Sequence, residues 1–424
     1  MSNDAAKSWT WRPGGDRALW GIILILAVVS VVVVYSSTGA AAFSGGRLEG
    51  SHLNVLIRQA GIVAMGLVAI YAIHKINYQV YGRMVWFLYS LALVFTVMVY
   101  FIGEVNPAAP DAPRWIRIPI INFTFQPSDF LKVATVMVVA RELARRQKTI
   151  AGEDVIPPLT SRAWRERKGA RTLVETTMPI VAPIILSCGV ILPANLSTAL
   201  ILFATCFVVL FIGRVRVREL VRMVMVLALL AALAVGFLYA IGRPPKRMET
   251  WVGRFERFAA ADGTVDTYQV DQAAIAIAAG KLAGRGAGGS IQRGLLPDAE
   301  SDYAYAFIIE EYGSIFGGLI VLMYVWIFFR GIAIFRKCGT AFPSLLVLGL
   351  ALLITLQALV NMMVSTDMIP STGVALPLIS KGGSSELFLS CALGMMLGVS
   401  RQTGEKTLDK PRAESLLEIN RTEK

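Results

Sequence analysis

Histidine is almost missing from this chain: His52 and His74 are the only two in 424 residues. That scarcity leaves no basis for a histidine-built metal centre, which gathers several imidazoles at one point. Cysteine is scarce too. Cys188, Cys206 and Cys391 fall inside apolar runs and Cys338 in a short polar connection, so neither a disulfide framework nor a zinc pattern arises. Charged residues make up 17% of the chain, against roughly 25% in a soluble domain. Acids are the scarcer kind, with 29 Asp and Glu against 41 Lys and Arg. The resulting net charge of +12 raises the question of nucleic acid, but no basic patch interleaved with aromatics accompanies it. No nucleic-acid partner is expected.

What the chain has instead is long uncharged apolar runs, at residues 19–35, 84–102, 177–192, 196–212, 223–241, 342–364 and 387–399. A run of about 18 such residues is long enough to cross a bilayer as a helix. Three more runs are less clean: 59–73, which begins inside 53–58; 130–140, headed by Asp129 and Lys132; and 303–329, which contains Glu310 and Glu311. The expected fold is an all-α polytopic membrane protein with about ten transmembrane helices. Lys7, Arg12 and Arg17 before the first run, and Ala40–Ala42 after it, resemble a signal peptide. The length of that run favours an uncleaved first helix.

Basic residues concentrate on alternate connections. Nine lie in 141–176, and Arg214, Arg216, Arg218 and Arg222 crowd another. By the positive-inside rule these segments are cytoplasmic, which places both termini in the cytoplasm. The expected organisation is a cytoplasmic tail at 1–17, a transmembrane domain at 18–400 and a second cytoplasmic tail at 401–424. Within the domain, 141–176 forms a large cytoplasmic loop and 242–301 a large extracytoplasmic one. The first reads as a solvated loop or as a docking surface for a partner or anionic lipid.

The 60-residue outer loop is too long to be a plain connection. It holds a mixed amphipathic piece at 248–258, an Ala/Ile-rich piece at 268–279 and a half-glycine stretch at 280–289. With Lys281 and Arg285 among the glycines, that stretch could cradle a phosphate through backbone N–H groups. The Gly-Lys-Ser/Thr ending of a P-loop is absent.

Acids at membrane depth default to functional hypotheses. Asp129 and Lys132 share a helix face and can pair, either structurally or at a site. Asp302 enters the eighth span, where it serves either as an ordinary helix-terminal acid or as a base that reaches headgroups. Glu310 and Glu311 point to different sides, so at least one is expected to hold helices together. Gln357 and Asn361 form a polar stripe that faces the bundle interior. Residues 370–385, rich in Gly and Pro, are tolerated near lipid only if buried in protein or lining a polar cavity. An outward polar chamber is therefore expected, roofed by 280–289 and 370–385.

The same segments resemble the SEDS (shape, elongation, division, sporulation) family of cell-wall proteins. Arg114-Trp115 and Phe125-Gln126-Pro127-Ser128-Asp129 with Lys132 resemble one signature, Asp129 standing where Glu is usual. Tyr268-Gln269, Gly284-Arg285-Gly286, Gly289-Ser290, Gln292, Leu296-Pro297 and Ser301-Asp302, continued by Glu310-Glu311 and Gly313, resemble a second. Pro370, Thr372-Gly373, Leu376-Pro377, Ser380 and Gly382–Ser385 resemble a third. Two departures stand out: Asn195 replaces a usual aspartate, and Lys381 replaces a usual tyrosine. The second leans toward the division branch over the elongation branch.

The resemblance implies a peptidoglycan glycosyltransferase that polymerises lipid II at the septum. Its expected partners are a class B penicillin-binding protein transpeptidase and other divisome membrane proteins, in the bacterial inner membrane. It also implies that Asp302 is the general base, accepting the proton of an acceptor sugar hydroxyl as the anomeric carbon inverts. Arg114, Lys132, Arg285 and Lys381, with Gly284, Gly286, Gln292 and Ser384, are candidates for holding the diphosphate lipid. Asp129, Asn195, Glu310, Glu311, Gln357 and Asn361 are the structural polar set. No metal motif is visible, though a divalent cation (Mg or Mn) could assist. A lipid II flippase and a non-catalytic divisome scaffold are the alternatives. A secondary transporter is disfavoured because no internal repeat is seen.

Overall fold

In a computed structural model, the described residues are 14–43, 52–103, 114–118, 123–147, 150, 176–240, 248–259, 268–292, 303–380 and 383–422. Twelve helices and one two-stranded ribbon are found among them. Helices α1 (Arg17–Phe43), α2 (His52–Lys75) and α3 (Tyr78–Ile102) precede the ribbon. The ribbon pairs β1 (Ile116–Ile118) antiparallel with β2 (Phe123–Phe125), an element the all-helical expectation did not contain. Then come α4 (Pro127–Arg145), α5 (Met178–Ile191), α6 (Leu196–Ile212) and α7 (Val217–Ala240). The long outer loop contributes α8 (Met248–Ala259) and α9 (Tyr268–Gly280), close to the two pieces read from its sequence. Three long helices finish the chain: α10 (Ala304–Lys337), α11 (Ala341–Ser365) and α12 (Ser384–Thr422). Apart from α8 and α9, ten helices correspond one to one with the ten predicted spans.

The surface is that of a membrane protein. Val28, Val68, Phe101 and Met225 are each more than 60% exposed, on four different helices. Together with many other exposed apolar side chains on these helices, they form an extent of apolar surface that in water would drive association; in lipid it has a matching solvent. The bundle centre is α11, with 83% of its apolar window buried against 22% in α2. Small residues bring helices together where lipid supplies no hydrophobic drive. Gly394 and Gly398 on α12 lie against the Ile70 and His74 carbonyls of α2, and Gly331 of α10 against Ala351 of α11.

Two devices solve the problem of irregular backbone inside this bundle. The first is a break in α10 at Gly313, where φ is +85° and ψ is 166°. The break separates the Glu310 and Glu311 carbonyls from their normal helical donors on Ser314 and Ile315. The glycine-rich loop replaces both partners. Arg285 N–H donates to Glu310 O and Gly286 N–H to Glu311 O, each at 2.9 Å. In return Ser314 N–H donates to Lys281 O at 2.9 Å and Ile315 N–H to Leu282 O at 3.4 Å. These four groups freed by the break are satisfied again, as burial demands. The approach is close enough that a Cβ on Gly284 would stand 2.2 Å from Glu311 O, and one on Gly313 would stand 2.2 Å from Leu282 O.

The second device holds the non-helical stretch between α11 and α12. Asn361 Nδ2 donates to Val374 O at 2.8 Å, and Gln357 Nε2 to Ala375 O at 3.2 Å. The Tyr324 hydroxyl donates to Pro377 O, and Leu376 N–H to Ser380 Oγ at 2.9 Å. The predicted polar stripe on α11 is thus a clamp on a neighbouring backbone.

Lys132 is part of the same arrangement. Only 3% exposed, it pairs with Asp129 at 2.7 Å and donates to Gln357 Oε1 at 2.8 Å. Removing the ammonium leaves a buried carboxylate uncompensated, which costs about 3–5 kcal/mol. Lys132→Met should therefore lower the melting temperature in detergent sharply, and Lys132→Met with Asp129→Asn should recover most of the loss. A double variant as unstable as the single one would contradict this role.

Candidate active site

The described residues enclose a cavity of about 240 Å³ at the end of the bundle predicted to face outward. Three unrelated stretches build its polar side. Arg114 comes from just before β1, Asn195 and Ser197 from the start of α6, and Trp251 and Arg254 from α8. Residues 369–372, just beyond α11, close it, and Leu196, Leu200, Ile201 and Val360 make an apolar wall. A smaller void of about 20 Å³ adjoins it, sharing Arg114 and Asn195.

Three of the polar groups are held in place. Asn195 caps α6, its Oδ1 accepting from Thr198 N–H at 3.2 Å while Nδ2 donates to Gly373 O at 3.5 Å. An amide can do both, whereas a carboxylate at this position could cap but not donate. Arg114 Nε donates to Ala194 O at 3.2 Å, and Arg254 Nη1 donates to Ser371 O at 3.0 Å. Two guanidinium groups therefore face one partly apolar chamber, an arrangement suited to an anionic headgroup attached to a lipid tail. The described lining carries no carboxylate, and no cluster of three or more His, Cys, Asp or Glu occurs among the described residues. That described donor set, guanidinium and amide groups, does not suit a divalent cation.

Of the predicted site residues, Arg114 and Asn195 meet in the chamber. Asp302 and Lys381 lie outside the described residues. Tyr303, next in the chain to Asp302, is buried with Ala273, Ala276 and Phe307 against Ile369, which itself lines the chamber.

Four expectations need correction. Gly284 and Gly286 do not form a phosphate cradle, because the N–H groups along this loop are already committed. Besides the exchange with α10, Gly284 N–H donates to Gly280 O at 2.8 Å and Gly288 N–H to Ser36 Oγ at 2.5 Å. Nor does the loop roof the described chamber, a position taken by Trp251 and Arg254. Lys132 is sealed in the bundle instead of facing a headgroup. Ser384 accepts a hydrogen bond from Gln126 N–H at 2.9 Å and is buried.

Glu310 and Glu311 both serve the glycine-rich loop, from different sides of α10. Glu310 accepts from Arg285 Nη1 at 3.4 Å, Ser290 Oγ at 2.5 Å and Ile291 N–H at 3.1 Å. Glu311 accepts from Ser36 of α1 at 2.5 Å, tying the loop's other edge to the bundle. Arg285 is thus an ion-pair partner, and Gln292 lies where the described part of the loop ends. Trp251 and Arg254 were not singled out in the sequence. Their i, i+3 spacing on one face of an amphipathic segment was the available signal, but nothing in it says what that face covers.

Asp367, just past α11, sits at φ +54°, and burial together with the nearby Asp271 charge raises its pKa. The folded state then binds the proton more tightly than the unfolded state. Stability falls as pH rises from the unfolded value, near 3.9, through the raised one. Asp367→Asn, which tolerates the left-handed backbone, should raise the melting temperature slightly at neutral pH and leave it unchanged near pH 3. Equal shifts at both pH values would refute the electrostatic origin.

These features define a polytopic α-helical membrane protein with a partly apolar chamber that presents two guanidinium groups. The chain belongs to the family named for FtsW, RodA and SpoVE and described as "Cell cycle protein", whose model matches residues 16–405. It is 29% identical to the probable peptidoglycan glycosyltransferase FtsW of Hydrogenovibrio crunogenus over 93% of both chains. It is 27% identical to the stage V sporulation protein E of Bacillus subtilis, over 92% of this chain and 98% of that one. Among solved structures it resembles a chain of a peptidoglycan synthase complex that coordinates polymerization and crosslinking. The TM-score is 0.65 at 21% identity, over 92% of this chain and 98% of that one. Thermus thermophilus RodA aligns with a TM-score of 0.57 at 20% identity, over 93% and 98%.

Proposed function

We propose that this chain is a peptidoglycan glycosyltransferase that polymerises lipid II during septal wall synthesis. The observation that carries the reading is the chamber in which Arg114 and Arg254 stand beside an apolar wall, bordered by Ile369 and hence by the residue next to Asp302. A lipid-linked sugar diphosphate needs those elements together: cations for the diphosphate, an apolar flank for the polyprenyl chain and a base for the incoming hydroxyl. Full-length similarity to proteins named peptidoglycan glycosyltransferase supports it.

In this mechanism Asp302 accepts the proton of the acceptor sugar's 4-hydroxyl as that oxygen attacks the donor's anomeric carbon. The carbon–oxygen bond to the diphosphate breaks with inversion. The diphosphate leaves with its charge facing Arg114 and Arg254, which are positioned before reaction by the Ala194 and Ser371 carbonyls. Both termini are cytoplasmic in this reading, and the working partner is a class B penicillin-binding protein transpeptidase. Likeness to a chain of a synthase complex favours that partner.

The test is glycan-strand formation from lipid II by the purified protein, with and without the transpeptidase. Strands are expected. Their absence in both conditions, with lipid II crossing between leaflets of a vesicle, would favour the flippase instead.

A further inference from the structure

The face opposite the chamber carries a feature that glycosyl transfer does not use. At its C-terminal end, α4 presents Arg141, Arg145 and Arg146, and the turn from α6 into α7 presents Arg214, Arg216, Arg218 and Arg222. These stretches are some seventy residues apart in sequence, yet the fold joins them. Gln147 Nε2 donates to Gly213 O at 3.2 Å, and Gly213 packs against the Leu143 side chain. The two acids in the cluster are buried and turned inward. Glu142 accepts from Trp86 Nε1 at 2.9 Å and pairs with Arg146, while Glu219 pairs with Arg222 at 3.2 Å. Buried carboxylates thus orient two of the guanidiniums, and Arg145, Arg214, Arg216 and Arg218 remain exposed.

Every described cation in these two stretches is arginine, the side chain whose planar fork matches a phosphate bidentately. A bias toward positive charge on this face would be met equally by lysine and would not need tertiary contact to gather it. Trp86, 38% exposed on α3 beside the cluster, is an amphipathic ring of the kind that settles at headgroup level. We infer that the edge between the end of α4 and the α6–α7 turn binds the phosphodiester headgroup of an anionic phospholipid.

The chemistry recognised is a phosphate ester, and the test separates a lipid from a soluble source without using polymerisation. Native mass spectrometry of the full-length protein in mild detergent would measure cardiolipin binding. Arg214→Gln with Arg216→Gln is expected to weaken it about tenfold or more. The control is Arg336→Gln with Lys337→Gln, which removes two exposed cations from the end of α10 and should leave binding unchanged. Arg214→Lys with Arg216→Lys keeps the charge but loses the fork, and should weaken binding in part. If the glutamine pair fails to fold, Arg218→Gln, at an exposed position on α7, is the second variant. Equal losses in test and control pairs, or no loss in either, would overturn the site. So would complete displacement of cardiolipin by millimolar glycerol 1-phosphate, which would assign it to a soluble phosphate. Loss of strand synthesis would bear on the catalytic reading alone.

Discussion

Asp302→Asn protein, assayed beside the transpeptidase, is expected to lose at least about 100-fold of its lipid II polymerisation while melting at the wild-type temperature. General-base assistance is worth roughly 10²–10⁴ in rate, and asparagine keeps the shape of the side chain without its basicity. Folding should be spared because other groups carry the local frame: Glu310 and Glu311 hold the loop that leads toward residue 302, and Tyr303 is buried in a cluster with Ala273, Ala276 and Phe307. Binding should survive as well, since the cations that face the diphosphate come from before β1 and from α8. The variant should therefore retain lipid II while failing to join it. Near wild-type strand length and yield would remove Asp302 from the chemistry and leave the chamber without a base.

Gly313→Ala should produce a large structural loss for a single added methyl. The residue sits at positive φ, which costs a side chain about 1–3 kcal/mol. Its Cβ would also meet Leu282 O at 2.2 Å, so the glycine-rich loop must move away. Moving it breaks the four-bond exchange with α10 and leaves buried amides and carbonyls unpaired, each at about 1–3 kcal/mol. Thermal melting in detergent should drop by many degrees, and polymerisation should fail with it because the displaced loop leads to Asp302. Gly284→Ala belongs to the same class, with its Cβ 2.2 Å from Glu311 O. Gly286→Ala and Gly288→Ala are the controls: both residues have positive φ, but nothing lies within 4 Å of an added Cβ. They should show only the conformational penalty. If all four variants melted alike, close approach would not be what these glycines provide.

The contrast between α6 and α10 marks how far one-dimensional reading reaches. Residues 196–212 were readable as a helix to the residue, because an uncharged run ends at glycine and begins after a capping asparagine. Residues 303–329 are equally readable as a span, and the acids inside them stand out as special. The break at Gly313 was not readable. A glycine within an apolar run is common in membrane helices, and only the approach of residues 281–286 makes this one a break. The short ribbon before α4 was missed for a related reason: two three-residue strands carry too little alternation to register.

The glycine-rich loop teaches the same lesson in reverse. Its composition matched an anion cradle, and glycine does permit backbone N–H groups to converge. Glycine also permits two backbones to touch, and composition cannot distinguish the uses. Here the donors are occupied by Glu310 O, Glu311 O and Ser36 Oγ, so the loop is a joint. The chamber shifted accordingly, from the loop to a helix whose Trp251 and Arg254 had no individual signal.

The sequence alone determined the solvent, the positions of the apolar helices and the pairing of near neighbours such as Asp129 and Lys132, because each depends on hydropathy or spacing along one segment. Tertiary structure alone decided which groups face the chamber, which glycines are joints and which arginines gather into one edge. Those outcomes depend on contacts between segments tens to hundreds of residues apart, and such distances leave no period in the chain.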